Sequence, residues 1–184
     1  MENQNNNTPT NTYKTTNNKL LTGMFRDRES TENVYNTLQQ RGYNQDDVHL
    51  LMSNDTRKKH FADDDTEIGT KAAEGLGKGS AIGGTVGAIA GAIAAIGTAI
   101  AIPGLGLVIA GPIAAGLAGA GAGGLTGGII GALVGAGIPE ERARIYENGI
   151  KKGNVVIGVH PRNDEDAEYF KNNWKENKGE EIHY

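Results

Sequence analysis

"PGLGLVIAGP", residues 103–112, decides how this chain is read. Two prolines bracket eight residues without a polar side chain, inside a run of 61 residues, Gly79–Pro139, that holds no Asp, Glu, Lys, Arg or His. Because proline breaks a helix that reaches it and opens one that follows it, the run divides into helices expected at 80–102 and 113–138. At 1.5 Å per residue each would measure about 35–39 Å, longer than a hydrocarbon core of about 30 Å. The decapeptide then reads as the tip of a helical hairpin. A tip so apolar suits lipid, or the cover of neighbouring copies, better than water.

The helices themselves are only weakly hydrophobic. The first has seven large apolar residues (Ile82, Val86, Ile89, Ile93, Ile96, Ile100 and Ile102) among Ala, Gly, Ser and Thr. On an insertion scale these favour the membrane by about 2–4 kcal/mol, and the aromatic belt usual at both interfaces is missing. Glycine spacing carries more information. Gly75, Gly79, Gly83, Gly87 and Gly91 recur every four residues, and Gly119, Gly123, Gly127, Gly131 and Gly135 repeat the pattern. Each glycine costs a helix about 1 kcal/mol relative to alanine, so propensity does not account for the stripes. A seam that lets two helix backbones approach does, and the pattern reads as a glycine zipper driving self-association. If the hairpin inserts, both flanks lie on one side, and Lys71, Lys78, Arg142, Arg144, Lys151 and Lys152 would hold that side and both termini in the cytoplasm, at the inner membrane. The competing expectation is a cytoplasmic, soluble oligomer with the zipper as its core, whose plait domains bind a small ligand or a partner.

Outside the run the chain is conventional. Residues 1–18 contain 12 Asn and Thr and read as a disordered tail. In 19–65, "KLLTGMF" reads as a strand, Asp27 caps a helix ending at Gly42, and "DVHLLMS" alternates as a strand with one strongly apolar face. Residues 66–138 hold a charged approach and the zipper hairpin. In 139–184, Pro139 and two glutamates start a helix, "NVVIGVH" alternates as a strand, Asp164 caps a helix carrying Ala167, Phe170 and Trp174, and "EEIHY" closes as a strand. The expected fold is α+β: a ferredoxin-like α/β plait (βαβ-αβαβ) interrupted by a long Gly/Ala-rich α-helical hairpin. With the insert confined to one connection, a short linker in its place is expected to leave the plait folded.

Function classes narrow by exclusion. A net charge of -4 with no basic cluster longer than Arg57–Lys59 argues against a nucleic-acid partner, and the absence of cysteine removes thiolate chemistry. "EGLGKGS" departs from a phosphate loop, with Ala72 at the first glycine position and Gly79 where Ser or Thr should follow Lys78. Gly119, Gly121 and Gly124 fit a dinucleotide pattern that so many glycines supply by chance. Asp63, Asp64, Asp65 and Glu67 lack the glycine and the terminal glutamate of a calcium loop and read as a solvated linker. His49 and His160, on neighbouring strands, read as solvent-facing rather than as metal ligands. No serine or threonine has a His and an acid at recognisable spacing, so no catalytic, cofactor or metal residue is assigned and no enzyme is expected.

"GMFRDRESTENVYNTLQQRGYNQDDVHLL" (23–51) and the exit "GAGIPEERARIYENGIKKGNVVIGV" (135–159) resemble bacterial general stress proteins of the heat-induced, YflT-like type that carry a glycine-zipper insert. The resemblance spans nearly everything after Asn18. It implies a bacterial stress-response protein without an established active site, and supplies no catalytic residue.

Overall fold

The computed structural model describes residues 19–61, 100–102, 106–114 and 128–184. In these segments a six-stranded antiparallel sheet carries helices on both faces. Strand β1 (Leu21–Phe25) leads to α1 (Arg28–Gln40), then through a 3-10 turn at Gln45–Asp47 to β2 (Val48–Ser53) and the short α2 (Asn54–His60). Strands β3 (Ile100–Ile102) and β4 (Leu107–Ala110) follow, then α3 (Gly128–Gly135), α4 (Glu140–Lys151), β5 (Val155–Val159), α5 (Asp164–Glu176) and β6 (Glu180–His183). The spatial order is β3-β4-β2-β5-β1-β6.

Local signals place most of these elements. Asp27 caps α1 by accepting the Ser30 amide at 2.7 Å, and Gly42, at φ 79°, lets the Gly42 and Tyr43 amides close the helix end on the Gln39 and Leu38 carbonyls. At α5 the capping residue is Asn163, which accepts the Asp166 amide at 2.7 Å; Asp164, expected as the cap, is the first helical residue. Its charge still favours that end, since exposed backbone N–H groups make a helix N-terminus positive.

Alternation along the strands divides the side chains between two cores. Leu21, Phe25, Val48, Leu50, Met52, Val155, Ile157 and Val159 meet Val34, Tyr35 and Leu38 of α1 and Phe170 and Trp174 of α5. On the opposite face Met24, Leu51 and Val156 meet Leu133 of α3 and Ala143, Tyr146 and Ile150 of α4. The face of β2 expected to meet solvent is therefore covered, and its five residues from Val48 to Met52 are all buried.

The largest difference from expectation is at residues 100–110. Ile100–Ile102, read as the end of the first helix, and Leu107–Ala110, read as a hairpin tip, are paired antiparallel strands, and β4 pairs with β2 from Leu50↔Ala110 to Ser53↔Leu107. A continuous apolar run suits a strand buried on both faces, and β4 is such a strand: Val108 and Ala110 enter one core, Leu107 and Ile109 the other. Ile113, Ala114, Ile129, Ala132 and Leu133 add to the second core, at about 1.5–3 kcal/mol for each fully buried large side chain. The span 66–138 thus contributes strands and core residues. Of the helix expected at 113–138, the described part ends at Gly135, where Gly137 at φ 88° turns the chain toward α4.

Candidate functional site

The polar features of the covered face converge on two histidines. His49 of β2 stands opposite Gly158 of β5, and a Cβ on Gly158 would lie 3.4 Å from both Cβ and Cδ2 of His49, so the glycine leaves room for the imidazole. His160 follows β5 two residues later on the same face, and the two rings meet edge to face with centroids 5.5 Å apart. His49 is 3% exposed, so the expectation of a solvent-facing residue is corrected: the α3–α4 layer covers this face, a layer the alternation of β2 does not reveal. His160 is half-buried.

The backbone amide of Ile113 donates to His49 Nδ1 at 3.2 Å. That bond occupies the lone pair on Nδ1, which places the hydrogen of the neutral ring on Nε2. His49 Nε2 and His160 Nδ1 are both buried and neither makes a hydrogen bond among the described residues. Burial, helped by the neighbouring His160, pulls the His49 pKa down to about 4, so the ring is neutral near pH 7. A metal at Nε2 would have to displace that hydrogen from a ring already using its other nitrogen, and no group of three or more potential metal ligands occurs among the described residues. The pair leaves two buried ring nitrogens, His49 Nε2 and His160 Nδ1, without a hydrogen-bond partner among the described residues.

The approach of Ile113 depends on Gly111. At φ 89° its backbone passes so close to β2 that a Cβ would overlap the Val48 carbonyl and lie 3.2 Å from His49 Cα. Further along the same face, Tyr146 of α4 sets its hydroxyl 2.8 Å from Thr22 Oγ1 and donates to the Glu181 carbonyl at 2.7 Å. Burial pushes its pKa up to about 12, which keeps the phenol protonated.

A second polar cluster ties the end of α1 to the start of α5. Asp166 accepts from the Tyr43 hydroxyl at 2.7 Å and from the Arg41 guanidinium, while the Tyr43 oxygen accepts the Arg162 amide at 2.8 Å. The Arg162 guanidinium lies 4.3 Å from the Tyr43 ring centroid and donates to the Gly42 carbonyl at 2.7 Å. These groups satisfy one another and hold the two helices together. Sequence reading missed the cluster, because Tyr43 and Asp166 are 123 residues apart and only the two chain turns bring them together.

Of the expected seam, Gly131 and Gly135 lie on α3; Gly75, Gly79, Gly83, Gly87, Gly91, Gly119, Gly123 and Gly127 fall outside the described residues, as do Asp63, Asp64, Asp65 and Glu67. The buried residues of α3 are Ile129, Ala132 and Leu133, whereas Gly135 is exposed with open space where a Cβ would stand, and Val134 beside it is 43% exposed. No helix among the described residues is long and apolar enough to cross a membrane. Comparison with protein-family models, with curated proteins and with solved structures finds no match for this chain.

Proposed function

We propose that the chain is a non-enzymatic bacterial stress-response protein that self-associates through its glycine-rich segment, which a ferredoxin-like plait presents. What supports the plait is the order β2-β5-β1-β6 within the sheet, with α1 and α5 on one face: renumbered along the chain, these four strands follow the 2-3-1-4 arrangement of that fold. On this reading β3, β4, α3 and α4 are additions to it. The observation that carries self-association is the orientation of α3. One side is fixed to the sheet by Ile129, Ala132 and Leu133, and the other presents Gly135 and Val134 without cover among the described residues. A helix backbone bare of side chains lets a second helix approach closely.

Attachment at the inner membrane, with both termini cytoplasmic, is a second reading, favoured by the uncharged run from Gly79 to Pro139. The test is Gly131→Leu with Gly135→Leu, followed by sedimentation and crosslinking in detergent and without it. A smaller assembly with an unchanged circular dichroism melt is expected. Assemblies of undiminished size would remove the proposal. Alkaline carbonate extraction of cell membranes separates the two readings, since an integral protein stays in the pellet.

A further inference from the structure

We propose that the hydrogen bond from the Ile113 amide to His49 Nδ1 is an acid-opened latch: it holds the chain leaving β4 against β2, and proton uptake by His49 releases it. A neutral imidazole offers one acceptor nitrogen, and here the Ile113 amide uses it at 3.2 Å. Adding a proton turns Nδ1 into a donor, so two N–H groups then face each other where water cannot reach to separate them, with His49 3% exposed. The bond is lost rather than weakened.

The surroundings give the charged ring no compensation. Among the described residues, the titratable group facing His49 is His160, which opposes a positive charge there, and no carboxylate acts on the ring. β5 presents Gly158 and the chain before β1 presents Leu20 around that glycine. From α4, the Tyr146 hydroxyl is engaged with Thr22 and the Glu181 carbonyl. The segment that must yield is short: Gly111, Pro112, Ile113 and Ala114 follow β4 directly, and the Ala114 amide is satisfied locally by the Gly111 carbonyl at 2.9 Å, so it can move as one turn. Nothing in this latch depends on the self-association reading, because its signature is the state of one amide.

Residue-resolved hydrogen exchange on the full chain at about pH 7 and about pH 4, expressed as protection relative to intrinsic exchange, tests the latch. The Ile113 amide is expected to lose protection tenfold or more, about tenfold for each pH unit below the ordinary His value of 6.5, and at pH 4 to be less protected than Leu50 and Ile157, which open only with the whole sheet. In His49→Asn the side-chain oxygen can accept near the position of Nδ1 and takes up no proton in this range, so Ile113 should stay protected at both pH values. Protection in the natural chain that does not change with pH would overturn the proposal. So would an equal loss in His49→Asn. Should that variant not fold, the ¹⁵N shifts of the His49 ring in the natural chain decide: titration together with the Ile113 amide supports the latch, and titration with that amide unmoved overturns it.

Discussion

The ring of Trp174 lies on the backbone of Gly23: a Cβ at that glycine would come within 2.8 Å of Trp174 Cε3. The indole meets Phe25 edge to face at 5.8 Å and is fully buried, so it has no free direction in which to retreat. Gly23→Ala should therefore destabilise the protein by about 1–3 kcal/mol, the usual cost of overpacking a core. Urea unfolding at constant slope measures it. A change below about 0.5 kcal/mol, the scale of surface substitutions, would mean that α5 shifts freely over β1.

Acid should weaken the fold in two separate windows. As pH falls below the ordinary His value of 6.5, the unfolded chain takes up a proton that folded His49 resists until about pH 4, so stability declines between those values by about 3 kcal/mol in all. Asp27 acts lower. The Ser30 amide holds its carboxyl below the usual 3.8, so its contribution is intact above that value and lost in stronger acid. Asp27→Ala should cost about 1 kcal/mol near neutral pH, with the difference from the natural chain vanishing at the acid end. Chemical unfolding across a pH series checks both, and a His49→Asn chain whose stability still falls between pH 6.5 and 4 would disprove the first.

Tyr43→Phe removes the hydroxyl that donates to Asp166 and accepts from the Arg162 amide. Two partners are left short, so a loss of about 1–3 kcal/mol is expected, with circular dichroism unchanged. Equal stability would mean that water replaces the hydroxyl at both positions.

Replacing residues 70–137 by a short Gly/Ser linker should abolish cooperative melting, contrary to what a simple insertion implies. Leu107, Ile109, Ile113 and Leu133 share a core with Met24, Leu51 and Val156, and removing them leaves only α4 to cover that face of the sheet. A broad transition with binding of a hydrophobic dye is the expected outcome. A sharp melt would show that α4 covers that face by itself.

The same residues explain what could be read from the sequence. β1, α1, β2, α4, β5, α5 and β6 each announce themselves through caps, turn glycines or alternation; even the buried strands β1, β2 and β5 carry a polar or glycine position, at Thr22, His49 and Gly158, that interrupts the apolar run. β4 does not. Val108 and Ala110 on one side and Leu107 and Ile109 on the other are all buried, and a segment with no polar side carries no period to distinguish strand from helix. The burial of His49 escapes the sequence for the same reason, since Ile113 and α3, which help to cover it, come from the span expected as a helical hairpin. Its amide partner Ile113 lies 64 residues away, a distance no spacing rule bridges.

The sheet's central position has a kinetic consequence. β5 lies between β2 and β1, pairing Val159 with both Val48 and Leu21, yet it is synthesised long after either. At about 5–20 residues per second, roughly 5–20 seconds pass between the end of β2 and the end of β5. Until then the emerging chain holds two apolar strands with no partner between them, as well as the β3–β4 pair beside β2. Such late, non-local pairing slows folding and exposes unpaired edges to other nascent chains. Survival during that interval is then set by whatever shields Leu21–Phe25 and Val48–Ser53 on the ribosome, rather than by the stability of the finished sheet.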